Sequence, residues 1–108
     1  MTPSLPDPIA RYFQISNGAD AAGLEDCFTD DAQVHDERQT HRGHAAIRSW
    51  HQAARRKFAY TVEPRRAVQQ GDRHTVTAHV VGDFPGSPVE LDHVFELADG
   101  RIRSLEIG

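Results

Sequence analysis

Tyr12, Asp36, His51 and His93 are side chains that can give or accept a proton, and each stands among apolar residues at a regular spacing. Tyr12 belongs to the run Ile9, Tyr12, Phe13, Ser16, spaced as one face of a helix. Asp36 follows Val34 by two residues, which puts both on one face of an extended segment. His51 falls in the helical stripe Ile47, Trp50, His51, Ala54, Phe58. His93 alternates with Val89, Leu91, Phe95 and Leu97, whereas its neighbour Asp92 alternates with Glu90 and Glu96. A phenol, a carboxylate and imidazoles around one apolar space are the equipment for moving a proton on a small organic molecule. Each group also has a plainer reading. Tyr12 is then a core tyrosine with a satisfied hydroxyl. Asp36 accepts hydrogen bonds at a strand end or pairs with Arg38. His93 is a buried histidine satisfied by backbone.

Other chemistries lack their residues. There is one cysteine, Cys27, so no intrachain disulfide can form. It sits in an apolar stripe with no basic neighbour, as a structural thiol does. His41 and His44 have metal-ligand spacing but occupy a charged loop, and no HExxH or cysteine cluster accompanies them, so no metal and no cofactor are expected. No phosphate-binding loop, GxGxxG or serine nucleophile elbow occurs. The net charge of −4 disfavours nucleic acid, and the basic run Arg55-Arg56-Lys57 suits the last turn of a helix. No apolar stretch approaches the ~20 residues that span a bilayer, so no membrane partner is expected. Met1 to Pro8 lacks the pattern of a signal peptide, and the cytoplasm is the expected location.

The 108 residues suit one domain, covering 1–108. A first helix should begin near Pro8 and end before Asn17-Gly18. Asp20 can cap a short second helix with Leu24, Cys27 and Phe28 on one face, ended by Asp30-Asp31. Gln33 to Arg38 reads as extended and leads into a polar loop through Gly43. A third helix starts near His44. From Ala59 the period changes to two. Strands are expected over Tyr60 to Val68, with Pro64 at a bulge or an unpaired edge, over Thr75 to Phe84, over Val89 to Leu97, and over Ile102 to Ile107. Their turns are Gln70-Gly71-Asp72, Pro85-Gly86-Ser87-Pro88 and Ala98-Asp99-Gly100. Three helices followed by hairpin-linked antiparallel strands give an α+β fold that buries one sheet face against the helices.

The segments Ile9-Ala-Arg-Tyr12-Phe, Cys27-Phe-Thr-Asp-Asp-Ala, Val34-His-Asp36 and Arg42-Gly-His-Ala-Ala-Ile-Arg-Ser-Trp50 resemble the front half of ketosteroid isomerases and SnoaL-like polyketide cyclases. Leu91-Asp-His-Val-Phe95-Glu-Leu and Asp99-Gly-Arg-Ile102 resemble their back half. These proteins belong to the nuclear transport factor 2-like superfamily. The resemblance implies a cone-shaped curved sheet that encloses a pocket, and often a dimer formed through the outer sheet face. Ketosteroid isomerases move a proton next to a ketone with a carboxylate base and two donors to the developing oxyanion.

Asp36 matches the base of that family, and partial desolvation beside Val34 would raise its pKa towards general-base values. Tyr12 matches the oxyanion tyrosine. The third group is Asp92 or His93: the match to the family's Asp-His pair points to Asp92, while strand parity favours His93 in the pocket. His51 stands where some isomerases carry a second tyrosine, which weakens the case for a steroid substrate. The expected site therefore joins catalytic Asp36, Tyr12, His93 or Asp92 to a pocket lined by Val34, Trp50, His51, Phe58, Val76, Val80 and Phe95. The expected ligand is a small apolar carbonyl or polyketide-like compound, handled by an isomerase- or cyclase-type enzyme. The alternatives are a dehydratase, an epoxide hydrolase, or a non-catalytic binding module. The moderately polar face Thr75, Thr77, His79, Val81 points to a homodimer through the sheet.

Overall fold

The computed structural model describes residues 3–18, 23–57 and 59–108. Helix α1 (Asp7–Ser16) starts at a proline-rich turn, where the missing N–H of proline costs nothing. It buries Ile9, Tyr12, Phe13, Ile15 and Ser16. Strands β1 (Phe28–Asp36) and β2 (Gln39–Arg42) form a hairpin, followed by α2 (His44–Lys57). Strands β3 (Tyr60–Gln70), β4 (Arg73–Gly82), β5 (Val89–Ala98) and β6 (Arg101–Ile107) complete the chain. All six join one curved, unclosed sheet in the order β2-β1-β6-β5-β4-β3. The α+β cone expected from the sequence is the fold.

Three details differ from expectation. There are two α-helices among the described residues rather than three, because Leu24, Cys27 and Phe28 bracket a 3-10 turn (Glu25–Cys27) that runs straight into β1. The cap expected of Asp20 lies outside the described residues. The polar loop after Asp36 is the β1–β2 hairpin, turned through Glu37 (φ 52°) and Arg38 (φ 66°). Two non-glycine residues in this left-handed region are the backbone of a tight hairpin turn, held at a cost of about 1 kcal/mol or more each. The sheet is also mixed: β1 runs parallel to β6, and the remaining neighbours are antiparallel. The bulge expected at Pro64 is present, as a shift of register between Pro64 and Arg66.

Polar contacts fix the helices to the sheet. His44 Nε2 lies 3.1 Å and 3.0 Å from the carbonyls of Phe28 and Thr29, so that nitrogen carries the hydrogen and anchors the start of α2 to β1. Arg48 pairs with Glu25. Arg55 donates to the carbonyls of Ser16 (2.6 Å) and Tyr60 (2.9 Å), which ties the ends of α1 and α2 to the start of β3. The Asn17 side chain donates to Val62 O (2.7 Å) and accepts from Val62 N (2.6 Å). It therefore pairs with edge strand β3 as a neighbouring strand would.

Candidate functional site

The inner face of the sheet changes character along its length. At one end it is solid core: Phe28 and Ala32 on β1, Phe95 on β5 and Ile102 on β6 are all fully buried. Towards the other end the same faces open into a cavity of about 610 Å³. Asp36 at the end of β1, Val80 near the end of β4, Val89, Leu91 and His93 at the start of β5, and Ile107 at the end of β6 line it. Tyr60 and Val62 of β3 close one side, and Tyr12 and Ser16 of α1 another. Helix α2 contributes Trp50, Ala53, Ala54 and Lys57, one stripe at helical spacing. Glu37, Gln39, His41, Phe84 and Pro85 complete the lining. The volume is that of a pocket for a small organic molecule.

Asp36 is half-buried, and its Oδ2 accepts a hydrogen bond from the Trp50 indole Nε1 at 3.1 Å. The indole is flanked by His41 and His51, with ring centroids 6.1 Å and 6.3 Å away. Tyr12 is 3% exposed and wedged edge-on against Phe13, Phe28 and Phe95, at centroid distances of 5.4, 6.2 and 5.7 Å. Burial pushes the Tyr12 phenol well above its ordinary range, only partly offset by a hydrogen bond with the Ser16 side chain. The phenol therefore stays protonated and can serve as a donor. Burial likewise raises Tyr60, against the opposing effect of Arg55, whose guanidinium carbon lies 4.7 Å from the ring centroid.

His93 is buried, and desolvation pushes its pKa down to about 4, so it is neutral near pH 7. Its Nδ1 lies 3.3 Å from the carbonyl oxygen of Leu91. His51 is also buried, and burial followed by the nearby charge of Arg55 lowers its pKa. Its Nε2 has no hydrogen-bond partner among the described residues. Cys27 is buried with its thiol 3.6 Å from the Gly23 carbonyl, and burial raises its pKa, as suits a structural thiol. Among the described residues no group of three or more metal-ligating side chains converges, and no helix is long and apolar enough to cross a membrane.

The SnoaL-like domain family matches residues 9–105. The chain belongs to that family. Among solved structures it resembles a candidate polyketide cyclase from Sinorhizobium meliloti at 42% identity and TM-score 0.93, with 96% of this chain and 95% of that one covered. SalBIII, an epoxide hydrolase/cyclase-like enzyme of pyran ring formation in the polyether salinomycin, shares the fold at 23% identity and TM-score 0.77, over 94% of this chain and 86% of that one. A Catenulispora acidiphila protein of ketosteroid isomerase-like fold, solved with trimethylamine, shares it at 19% identity and TM-score 0.83, over 97% and 86%. No protein of curated function matches the chain.

Within this SnoaL-like cavity the structure brings together Tyr12, Asp36, Trp50, Val80 and His93. It sets other sequence candidates apart. Val34 and Phe95 share the inward face but lie in the next row along their strands, in the filled part of the core, and Val76, directly opposite His93, is fully buried without lining the cavity. His51 is buried beside the wall and does not line it. Asp92 is turned to the outer face, where its carboxylate accepts from Thr77 Oγ1 at 2.7 Å, because neighbours on a strand point to opposite faces. Phe58 lies outside the described residues. Reading the sequence alone missed Ser16, Tyr60, Val62, Leu91 and Ile107 on the wall and the hairpin residues Glu37, Gln39 and His41 at its mouth. Parity along β5 already placed Leu91 on the face of His93. Nothing in the sequence marked the hairpin.

Proposed function

We propose that this SnoaL-like chain is an acid–base enzyme of isomerase or cyclase type, acting on a small, largely apolar carbonyl or polyketide-like compound with Asp36 as general base. The observation that carries the reading is the Asp36 carboxylate on the cavity wall with Oδ2 held by the Trp50 indole. One oxygen is thereby fixed, and Oδ1 is left to take a proton from the carbon next to a substrate carbonyl. The electron pair of that C–H bond moves to the carbonyl oxygen, where the Tyr12 hydroxyl donates to the growing negative charge. The proton then returns from Asp36 to another carbon in an isomerase; in a cyclase the enolate carbon attacks a second carbonyl carbon of the same molecule, whose C=O π pair moves to its oxygen and takes the proton back from Asp36. Apolar walls from Val62, Val80, Leu91 and Ile107 exclude water and strengthen each electrostatic contact. The test is a spectroscopic screen of conjugated ketones for turnover. Asp36→Asn should then lower turnover by about 10²–10⁴-fold while ligand affinity holds. Full activity in that variant sinks the reading.

We also propose that two copies pair through the outer face of the sheet. Rows across β3, β4 and β5 alternate Glu63-His79-Glu90, Arg66-Thr77-Asp92 and Val68-Thr75-Val94. Val68 and Val81 on this face are 60% and 43% exposed. A two-fold axis through β4 would set the Arg66 side of one copy against the Asp92 side of the other and cover the valines.

A further inference from the structure

Among the described residues His93 has one nitrogen committed and one available. Nδ1 meets the Leu91 carbonyl at 3.3 Å, and a carbonyl offers only lone pairs, so Nδ1 carries the hydrogen. A neutral imidazole has a single N–H, so Nε2 presents a lone pair. The ring is neutral near pH 7 because burial strongly disfavours its charged form. It is also held in place. Phe13 lies 5.3 Å from it and Phe95 stacks at 6.2 Å with an interplanar angle of 18°. His93 lines the same cavity as Tyr12 and Asp36. It therefore acts there as a hydrogen-bond acceptor, and cannot be a second donor to the oxygen that Tyr12 serves.

We propose that the cavity selects hydroxylated carbonyl compounds, whose hydroxyl donates its hydrogen to His93 Nε2 while the carbonyl oxygen accepts from Tyr12. This rests on the cavity being the substrate site proposed above. A plain ketone has nothing to offer the Nε2 lone pair, which would then be shut against the ligand's hydrocarbon without a partner. An unpaired buried acceptor is costly, and sites built around a substrate hydroxyl discriminate strongly against analogues that lack it. An ammonium group would also satisfy Nε2, but the same burial that keeps His93 uncharged opposes placing a cation there. The backbone carbonyl two residues earlier thus makes His93 an acceptor, where the match to the isomerases' second oxyanion donor implied a donor.

Two readouts use the unmodified chain. The first is ¹⁵N NMR of histidine-labelled protein at neutral pH, where His93 should show a protonated Nδ1 and an unprotonated Nε2. The second is binding of tetralone, the hydroxytetralones with the hydroxyl at each position of the ketone ring, and their methyl ethers. It is followed by quenching of Trp50, the chain's one tryptophan, which lies on the cavity wall. At least one hydroxytetralone should bind about tenfold or more tighter than its ether and than tetralone, as one net hydrogen bond allows. His93→Phe, which keeps an aromatic ring and removes the acceptor, should bring that ratio to about one. A protonated Nε2, equal binding of every hydroxyl and ether pair, no binding by any of them, or a ratio unchanged in His93→Phe overturns the proposal. A hydroxyl preference that persists while Asp36→Asn retains full turnover would remove the base and leave this inference standing.

Discussion

Among the described residues the Asp36 carboxylate is held by one hydrogen bond, from the indole of Trp50 at 3.1 Å. Trp50→Phe keeps an aromatic wall and removes that donor. Losing a hydrogen bond to a charged group costs about 1.5–3 kcal/mol. If the bond serves to aim the base, turnover in a working assay should fall roughly tenfold or more while ketone affinity, measured by calorimetry, moves much less. His93 leads to a pH effect that needs no substrate. Its folded pKa of about 4 is below the ordinary 6.5, so the unfolded chain binds the proton more readily. The stability this group contributes is full above pH 6.5 and is lost as pH falls towards 4. Between pH 7 and pH 5 the loss is about 2 kcal/mol, and His51, lowered in the same direction, adds to it. Urea unfolding at the two pH values should show a smaller difference in His93→Phe than in the parent chain; an equal difference would contradict the buried neutral histidine. At this scale the sequence was informative about type and face. Strand parity set His93 inward and Asp92 outward, whereas the tautomer of His93 depends on a backbone carbonyl that no spacing rule reveals.

Among the elements, β3 is an edge strand, and an open edge invites pairing with another chain. Asn17 covers it at Val62 with two short hydrogen bonds, and the bulge at Pro64 distorts the rest. Asn17→Ala should destabilise the chain by about 1–3 kcal/mol in urea unfolding, since both groups of Val62, which is 5% exposed, lose their partner. No change would mean that water replaces the side chain. The element pattern was legible wherever hydrophobic period and turn residues agreed, as in β4, β5 and α2. It misled at Leu24, Cys27 and Phe28, where three buried residues at helical spacing serve a 3-10 turn and the first residue of a strand. It was silent at Gln39–Arg42, a polar, mostly exposed edge strand with no apolar alternation to betray it. The hairpin turn at Glu37 and Arg38 carries none of the glycine or asparagine that such a turn favours. That is why the cavity mouth went unrecognised.

At the scale of the whole molecule, the inner sheet face is core at one end and cavity at the other. Sequence periodicity tells which face a residue takes but not how far along the face it lies. For this reason Val34 and Phe95 were expected on the pocket wall and are instead packed solid. The outer face, with Arg66 and Asp92 on opposite sides of β4, should make the 12.0 kDa chain sediment as a species of twice that mass at micromolar concentration. Reversing one sign with Arg66→Glu should shift the equilibrium towards monomer, and a parent chain that is monomeric throughout would contradict the paired face. The central claim concerns the cavity and its base. It is tested most directly by deuterium uptake from deuterium oxide at the carbon next to the carbonyl of a bound ketone, followed by NMR with the parent chain and with Asp36→Asn. The account predicts that the parent chain accelerates uptake well above buffer and that Asp36→Asn slows it by about 10²-fold or more while the ketone still quenches Trp50. Uptake at the parent rate in Asp36→Asn, or a parent chain that binds ketones and exchanges no proton, would contradict it.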